Sequence, residues 1–384
     1  MKLKWEPSRR VFLGAAGAFA ATAAGGWSAR AQGKEDFKIG AIASLTGPAA
    51  AFSKDYADGF TAYAKAWNAR GGYNGRKIAV ELLDDETNPV NAVNAFRKLA
   101  SDAKTGAIWT ALGSQTALGI KAIASEFKVP VISGGGVDEL GRPPDAWFFK
   151  VAPGASDFMK GTVAYAKAKG YKTVASLNAT DAFGQFEARR FKEFAEEAGL
   201  KLVAAETFAI TDTNFAAQLV KIRNAKPDFF YNGSTANPAI LIFKQSKQLK
   251  LEMPMAVSLA SVTGAFFQGI GGREQAEGIL GLIPTGALAA DIGGDVTRIY
   301  KECVDALGKP ALLFHTLGWD TALITEHAMK ASDGTRQGVR DALEKAKDVP
   351  AINGPFTFTP TDHIGQDIRG LVMAQFKSGK WVKV

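Results

Sequence analysis

The sequence predicts an α/β protein built as two similar lobes, each a doubly wound parallel sheet. Short apolar runs alternate with longer stretches of three- and four-residue apolar spacing from residue 37 onward, the rhythm of βαβ units. That rhythm restarts after Pro153, giving two successive blocks of like element order. The length left after an N-terminal leader, about 350 residues, suits two domains that each bury a core.

The first block opens with a strand over Phe37 to Leu45. A helix over Tyr56 to Trp67 follows, because Tyr56, Phe60, Tyr63 and Trp67 recur at helical spacing. Gly71-Gly72-Tyr73-Asn74-Gly75 is a turn needing positive φ, and it leads into a strand over Lys77 to Leu83. Asn88-Pro89 opens a helix to about Asp102, with Val93, Phe96, Leu99 and Ala100 on one face. A strand (107–112), a helix (116–127) and a strand (129–133) complete the block.

The second block reads helix 156–169, strand 173–178 and a helix 183–198 stopped by Gly199. Strand 202–208, helix 214–224, strand 229–232 and helix 235–249 continue it. The tail is less regular. Strand 278–283 precedes helices around 295–307, 317–331 and 336–347, and two strands close the chain near 354–359 and 370–376.

The leader has its own logic. Met1 to Pro7 is basic, Ser8-Arg9-Arg10-Val11-Phe12-Leu13 is a twin-arginine box, and Val11 to Gly26 is apolar. That run falls short of the roughly 20 residues that span a bilayer. Ala29-Arg30-Ala31 supplies small residues where a signal peptidase needs them, which places cleavage before Gln32. The expectation is a 1–31 signal peptide on a protein folded before export. No Cys follows the apolar run, so no lipid anchor is expected there.

The first 31 residues hold five basic residues and one acid, so the formal charge of the remainder falls from +8 to +4. No basic run or basic-aromatic interleaving follows, which argues against nucleic acid as a partner. Cys303 is the single cysteine, so no internal disulfide forms. Its spacing with Ile299, Ala306 and Leu307 reads as a buried helical thiol.

Catalytic signatures are missing. There is no Gly-Xaa-Gly-Xaa-Xaa-Gly after the first strand, no Gly-Lys-Ser/Thr phosphate loop and no Gly-Xaa-Ser-Xaa-Gly elbow. His315, His327 and His363 have no metal-ligand spacing and read as solvated or packed imidazoles. We therefore expect no catalytic residue, cofactor or metal. Asp84 and Asp85 end a strand beside the helix at Pro89 and read as solvated or capping groups.

Several motifs stand in collinear order: Phe37-Lys38-Ile39-Gly40-Ala41-Ile42-Ala43-Ser44-Leu45-Thr46-Gly47-Pro48, Gly71-Gly72-Tyr73-Asn74-Gly75, and Leu83-Asp84-Asp85-Glu86-Thr87-Asn88-Pro89. Val129-Pro130-Val131-Ile132-Ser133, Asp181-Ala182-Phe183-Gly184-Gln185 and Lys226-Pro227-Asp228-Phe229-Phe230-Tyr231 follow. This set, spanning nearly all of the chain after the leader, resembles the leucine/isoleucine/valine-binding family of periplasmic receptors that feed ABC importers.

The resemblance implies two Rossmann-like lobes joined by a three-strand hinge, with a small-molecule ligand held between them. Crossings near Val151, Gly281 to Pro284 and Phe356 to Phe358 would give lobe one as 33–151 plus 284–356. Lobe two would be 152–283 plus 357–384. It also implies a periplasmic location and an ABC permease as partner, the receptor itself not spanning the membrane after cleavage.

Ligands of open parallel sheets bind beyond the carboxyl ends of the strands. That rule selects Phe52, the Ser114-Gln115-Thr116 helix start, the 133–137 loop with Gly135 and Val137, Asp181 with Phe183, and the 232–238 loop with Ser234 and Asn237. The free N–H groups and hydroxyls at Ser114 suit a carboxylate. In the amino-acid-binding relatives, a Ser-Xaa-Xaa-Xaa-Thr loop and a second-lobe acid hold the α-amino acid. By the resemblance, Val137 stands at the Thr position and Pro238 at the acidic one.

A buried ammonium without a carboxylate partner is costly. The expected ligand is therefore an organic acid with an apolar or aromatic body between Phe52 and Phe183. A branched-chain amino acid, an amide- or urea-type solute and a sensory role are the alternatives. Trp109 and Trp147 stand open between cleft, core and hinge.

Overall fold

A computed structural model describes residues 35–111, 113–258, 261 and 264–384; the leader and its expected cleavage site lie outside them. The first lobe begins with β1 (Phe37–Ala43), α1 (Ala50–Ala69), β2 (Ile78–Asp84), α2 (Pro89–Ser101), β3 (Thr105–Thr110), α3 (Ser114–Phe127), β4 (Val131–Ser133) and β5 (Phe148–Lys150). Its sheet has the order β2-β1-β3-β4-β5, all parallel.

The second lobe takes α4 (Ala155–Ala168), β6 (Thr173–Ala179), α5 (Ala182–Glu197), β7 (Lys201–Phe208), α6 (Ala216–Ala225) and β8 (Phe229–Gly233). It continues with α7 (Ala236–Gln248), β9 (Met255–Val257), α8 (Gly264–Ile270) and β10 (Leu280–Pro284). The chain then returns to the first lobe as α9 (Ala289–Ile292), α10 (Gly294–Leu307), α11 (Leu313–Lys330) and α12 (Arg336–Glu344). It ends in the antiparallel pair β11 (Leu371–Lys377) and β12 (Lys380–Lys383).

The second sheet reads β7-β6-β8-β9-β10-β11-β12. Its first five strands repeat the order of the first sheet, and the terminal hairpin covers the β10 edge. The duplicated rhythm in the sequence is thus a duplicated topology.

Tyr56, Phe60, Tyr63 and Trp67 all turn inward from α1 and are buried. Their partner is α11, which the chain supplies some 250 residues later. Tyr63 stacks edge-on against Trp319 at 4.7 Å between centroids. The two helices meet almost backbone to backbone. A Cβ on Gly59 would lie 2.0 Å from the His315 carbonyl oxygen, and one on Gly318 would lie 2.0 Å from that of Tyr56. The opposite face of the sheet packs on α2 and α3 through Phe96, Leu99 and Ile120.

Some expectations shift. The short strands β5 and β9, the helix α8 and the strand β12 were not anticipated. Three-residue strands carry too few positions to show an alternation. The strand expected near 354–359 is replaced by isolated bridges, Val349 with Phe356 and Thr359 with Asp362. Phe356 and Phe358 are buried in the first lobe, Phe358 edge-on to Phe149 at 5.3 Å.

The third crossing consequently lies later than 356–358. Lys150 and Ile364 still pair within the first lobe, and the chain enters the second sheet at Leu371. The other crossings run through Val151 to Gly154 and through Thr285 to Leu288. Among the described residues no helix is long and apolar enough to cross a membrane.

Candidate ligand-binding cleft

Topology places the site. From β1 the chain moves to β2 on one side and then to β3 on the other, and β6 and β8 repeat the pattern. Loops leaving the strands at such a switch point diverge and open a crevice. Residues after β1, β3, β6 and β8 all line one cavity of about 100 Å³ between the lobes.

The first-lobe wall begins with a braced loop. Asp84 accepts the Leu45 N–H (2.8 Å) and the Thr46 hydroxyl (2.7 Å). Asp85 accepts the Ser44 hydroxyl (2.6 Å) and the Thr87 N–H (2.9 Å). The Thr87 hydroxyl oxygen in turn accepts the Ala49 N–H (3.2 Å). These bonds set the start of α1, where Phe52 faces the cavity and packs on Phe314 of α11 at 5.8 Å. The aspartates therefore brace two loops rather than cap the helix at Pro89, whose cap is the Asn88 side chain, and Asp85 is buried rather than solvated.

The polar end of this wall is the start of α3. Gly113 offers no capping side chain, and the first N–H returned within the helix is that of Ala117, to Gly113 (2.9 Å). The N–H groups of Ser114, Gln115 and Thr116 precede it. The Ser114 hydroxyl oxygen accepts the Gly136 N–H (3.2 Å), while Thr116 donates to the Gly113 carbonyl (2.9 Å). Among the described residues these helix-start N–H groups meet no acceptor, and together with the positive end of the helix dipole they are what an anion needs.

The second-lobe wall has different chemistry. Asp181 caps α5 by accepting the Gly184 N–H (2.8 Å). Burial raises its carboxyl above the ordinary value, against that bond. Glu187, one turn beyond Phe183, is buried in the wall and accepts the Ser258 hydroxyl (3.0 Å). Desolvation pushes its carboxyl up to about 8, which favours the protonated, neutral form at physiological pH. Phe158, Phe183 and Ile210 supply apolar surface.

The lobes are closed on one another. A Cβ on Gly136 would lie 2.4 Å from the Phe183 ring, so the glycine gives that ring its seat. Phe186 of α5 joins an apolar cluster of the first lobe. Arg189 of α5 pairs with Glu139 of the first lobe at 3.1 Å. The Ser156 N–H of α4 donates to Asp138 (3.3 Å).

Of the residues singled out from sequence, Phe52, Ser114, Gln115, Thr116, Asp181 and Phe183 meet in this cavity. Gly135, Val137, Ser234 and Asn237 do not line it; their neighbours Gly134, Gly136 and Thr235 do. Gly134 and Gly136 face the cavity while Gly135 and Val137 face the core. Val137 is buried in core, and a Cβ on Gly135 would meet Leu140. Ser234 is buried and donates to Asn232, and Asn237 is exposed on α7.

Trp109 is core and donates to Thr325 (2.9 Å), and Trp147 lies in the first lobe's second core cluster. His315 is buried, with Nδ1 accepting the Leu312 N–H (3.1 Å), and burial drives it down to about 4. Cys303 is core, and burial pushes its thiol up. Among the described residues no group of three His, Cys, Asp or Glu side chains is placed to hold a metal ion.

Sequence reading missed Glu187, Phe314 and Leu317 in the wall. Glu187 had a signal: it stands four residues after Phe183 on a helix and so shares its face. Phe314 and Leu317 had none, because α11 reaches the cavity only through its packing on α1.

Comparison with known proteins places this architecture. The family model described as periplasmic binding protein matches residues 36–380. The leucine-, isoleucine-, valine-, threonine- and alanine-binding protein of Pseudomonas aeruginosa is 25% identical over 69% of this chain and 71% of its own. An extracellular ligand-binding receptor from Rhodopseudomonas palustris HaA2 superposes with a TM-score of 0.83 at 26% identity, covering 91% of this chain and 99% of that one.

A solute-binding protein of an R. palustris ABC transporter, in complex with benzoate, has a TM-score of 0.79 at 21% identity. It covers 91% of this chain and 95% of the other, and it speaks to the fold alone. The chain belongs to the periplasmic binding protein family and has the two-lobed, type 1 architecture of the branched-chain amino acid transporter receptors.

Proposed function

We propose that this protein is the exported receptor of an ABC importer and captures a small organic acid, aromatic or apolar in body, between its two closing lobes. One observation carries the reading: the unspent N–H groups of α3 and the Ser114 hydroxyl open into a cavity otherwise walled by Phe52, Phe158, Phe183, Phe314 and Leu317. A carboxylate at the helix start and a ring among the phenylalanines satisfy both ends. Ligand meets the first lobe in the open form, and closure brings Phe183 over Gly136. Only contacts made preferentially in the closed form can drive that motion. The twin-arginine leader, cut before Gln32, delivers the folded receptor to the periplasm, where the permease reads the closed shape. No step of catalysis belongs to this reading.

A second reading follows from Asp181 and Glu187. Carboxyl groups absent from the family's expected position are present in the wall at another, and they offer partners to an ammonium. The named relative from P. aeruginosa binds amino acids, and the R. palustris structure holds benzoate. Thermal unfolding of refolded, ligand-stripped protein separates the two. Benzoate and related carboxylates at 100 times their dissociation constant should add about 2.7 kcal/mol, against no shift with leucine or valine. Stabilisation by branched-chain amino acids alone would overturn the organic-acid reading.

A further inference from the structure

We propose that Glu187 and the buried polar cluster behind it form a second recognition point, which reads a neutral oxygen, a hydroxyl or carbonyl, on the ligand's body away from its carboxylate. This deepens the organic-acid reading and rests on it. Glu187 is 1% exposed, lines the cavity and spends Oε1 on the Ser258 hydroxyl; among the described residues Oε2 completes no hydrogen bond, with the Tyr231 hydroxyl beside the carboxyl.

The same floor of the second lobe holds other unpaired polar atoms. Among the described residues, the Tyr231 hydroxyl, both amide atoms of Asn178 and the Asn232 Nδ2 complete no hydrogen bond of good geometry; these residues are no more than 1% exposed and stand behind the cavity lining rather than in it. Asn178 and Gly233 face each other at the carboxyl ends of β6 and β8, and the Ser258 N–H donates to the Asn232 carbonyl (2.9 Å). Buried polar groups are nearly always paired, and a concentration of exceptions beside a cavity marks a place prepared for a polar group from outside.

The charge state selects which group. Burial lifts the Glu187 carboxyl to about 8, with the nearby Asp181 adding to the rise and Tyr231 and Ser258 opposing it. The carboxyl therefore holds its proton at neutral pH. With Oε1 accepting from Ser258, the proton is placed on Oε2, where a ligand oxygen competes for it with the neighbouring Tyr231 hydroxyl. A neutral oxygen accepts it with no change of charge in a dry wall. An ammonium would first require the carboxyl to lose that proton.

Calorimetric titration of ligand-stripped protein with benzoate, 3-hydroxybenzoate, 4-hydroxybenzoate and L-leucine tests this. At least one hydroxybenzoate should bind about tenfold more tightly than benzoate. No proton should be released, judged by equal heats in phosphate and Tris buffers. Glu187→Leu should bring the hydroxybenzoate to within about twofold of benzoate, the two compared within that variant. Glu187→Gln, which keeps a donor, should preserve the preference.

Benzoate binding with no gain from a hydroxyl, or a gain that survives Glu187→Leu, overturns the recognition point and leaves the organic-acid reading standing. Failure of every benzoate to bind overturns both. Tight leucine binding with release of about one proton assigns Glu187 to an ammonium and overturns the neutral-oxygen role. If Glu187→Leu does not fold, the wild-type preference and the Glu187→Gln result still decide.

Discussion

The two lobes share a strand order, β2-β1-β3-β4-β5 against β7-β6-β8-β9-β10, yet bring opposite chemistry to the cavity between them. The first lobe offers backbone N–H groups at the start of α3 and the hydroxyls of Ser114, Thr116 and Thr87, with no ionisable side chain in the wall. The second offers two carboxyl groups, Asp181 and Glu187. Both lobes contribute phenylalanines. Repeated topology fixes where a ligand sits, because divergent loops open a crevice at the same place in each sheet. The loop and helix-start residues, which topology leaves free, fix what the ligand must be.

The comparison breaks first at closure. Gly136 of the first lobe seats Phe183 of the second, with no room for a side chain. Gly136→Val should hold the lobes apart and weaken ligand binding at least about 100-fold, about 2.7 kcal/mol. The thermal midpoint of the empty protein should change little. Unaltered affinity would mean that the closed packing is not what holds the ligand.

The next effect sharpens the second lobe. Glu187 rises from 4.5 to about 8 on burial. A group raised on folding stabilises below its unfolded pKa and loses that contribution as pH climbs through the folded one. Glu187 therefore costs stability between about pH 5 and pH 8. Glu187→Gln should flatten the fall in urea-unfolding free energy over that window by about 2 kcal/mol.

Asp320, buried in the first lobe and raised to about 7, titrates with the same sign and is present in both proteins. Lys150, lowered to about 7 by burial, acts above that pH with the opposite sign: its folded-state depression adds stability at high pH that is lost as pH falls from about 10.5 to 7. The difference between wild type and variant isolates Glu187. Parallel curves would mean that its carboxyl titrates normally.

A smaller effect tests the first lobe. Ser114→Ala removes one hydroxyl but leaves the helix N–H groups, and should weaken binding about tenfold, about 1.4 kcal/mol. Calorimetry checks it, and an unchanged dissociation constant would remove Ser114 as the anchor. The smallest effect lies outside the cavity. The Arg189–Glu139 pair joins the lobes, but its side chains are 55% and 47% exposed. Arg189→Ala should alter affinity by less than about threefold, and less still in high salt.

Much of the fold was legible. The spacing of Tyr56, Phe60, Tyr63 and Trp67 and the Asn88-Pro89 start both report local geometry, and both lie where expected. The switch-point rule led to Phe52, Ser114 and Phe183, because the loops after parallel strands are themselves visible in sequence. The 133–137 loop shows the limit. It was located, but which of its residues face the cavity was not, since alternation has two phases and only packing against Leu140 and Phe183 selects one. The later crossing to the second sheet was hidden for a related reason. Phe356 and Phe358 look like strand residues but spend their rings on Phe149 and the first core.

The sequence by itself determined the alternation of strand and helix, its duplication, and the loops from which a site had to be built. Each of these depends on residues within a few positions of one another. The tertiary structure alone decided that α11 closes on α1 through Gly59 and Gly318, bringing Phe314 and Leu317 to the cavity. It also decided that Glu187 sits there with no cation beside it among the described residues. Those facts depend on contacts between residues far apart in the chain and on burial, which sets the charge of a carboxyl and cannot be read from its neighbours in sequence.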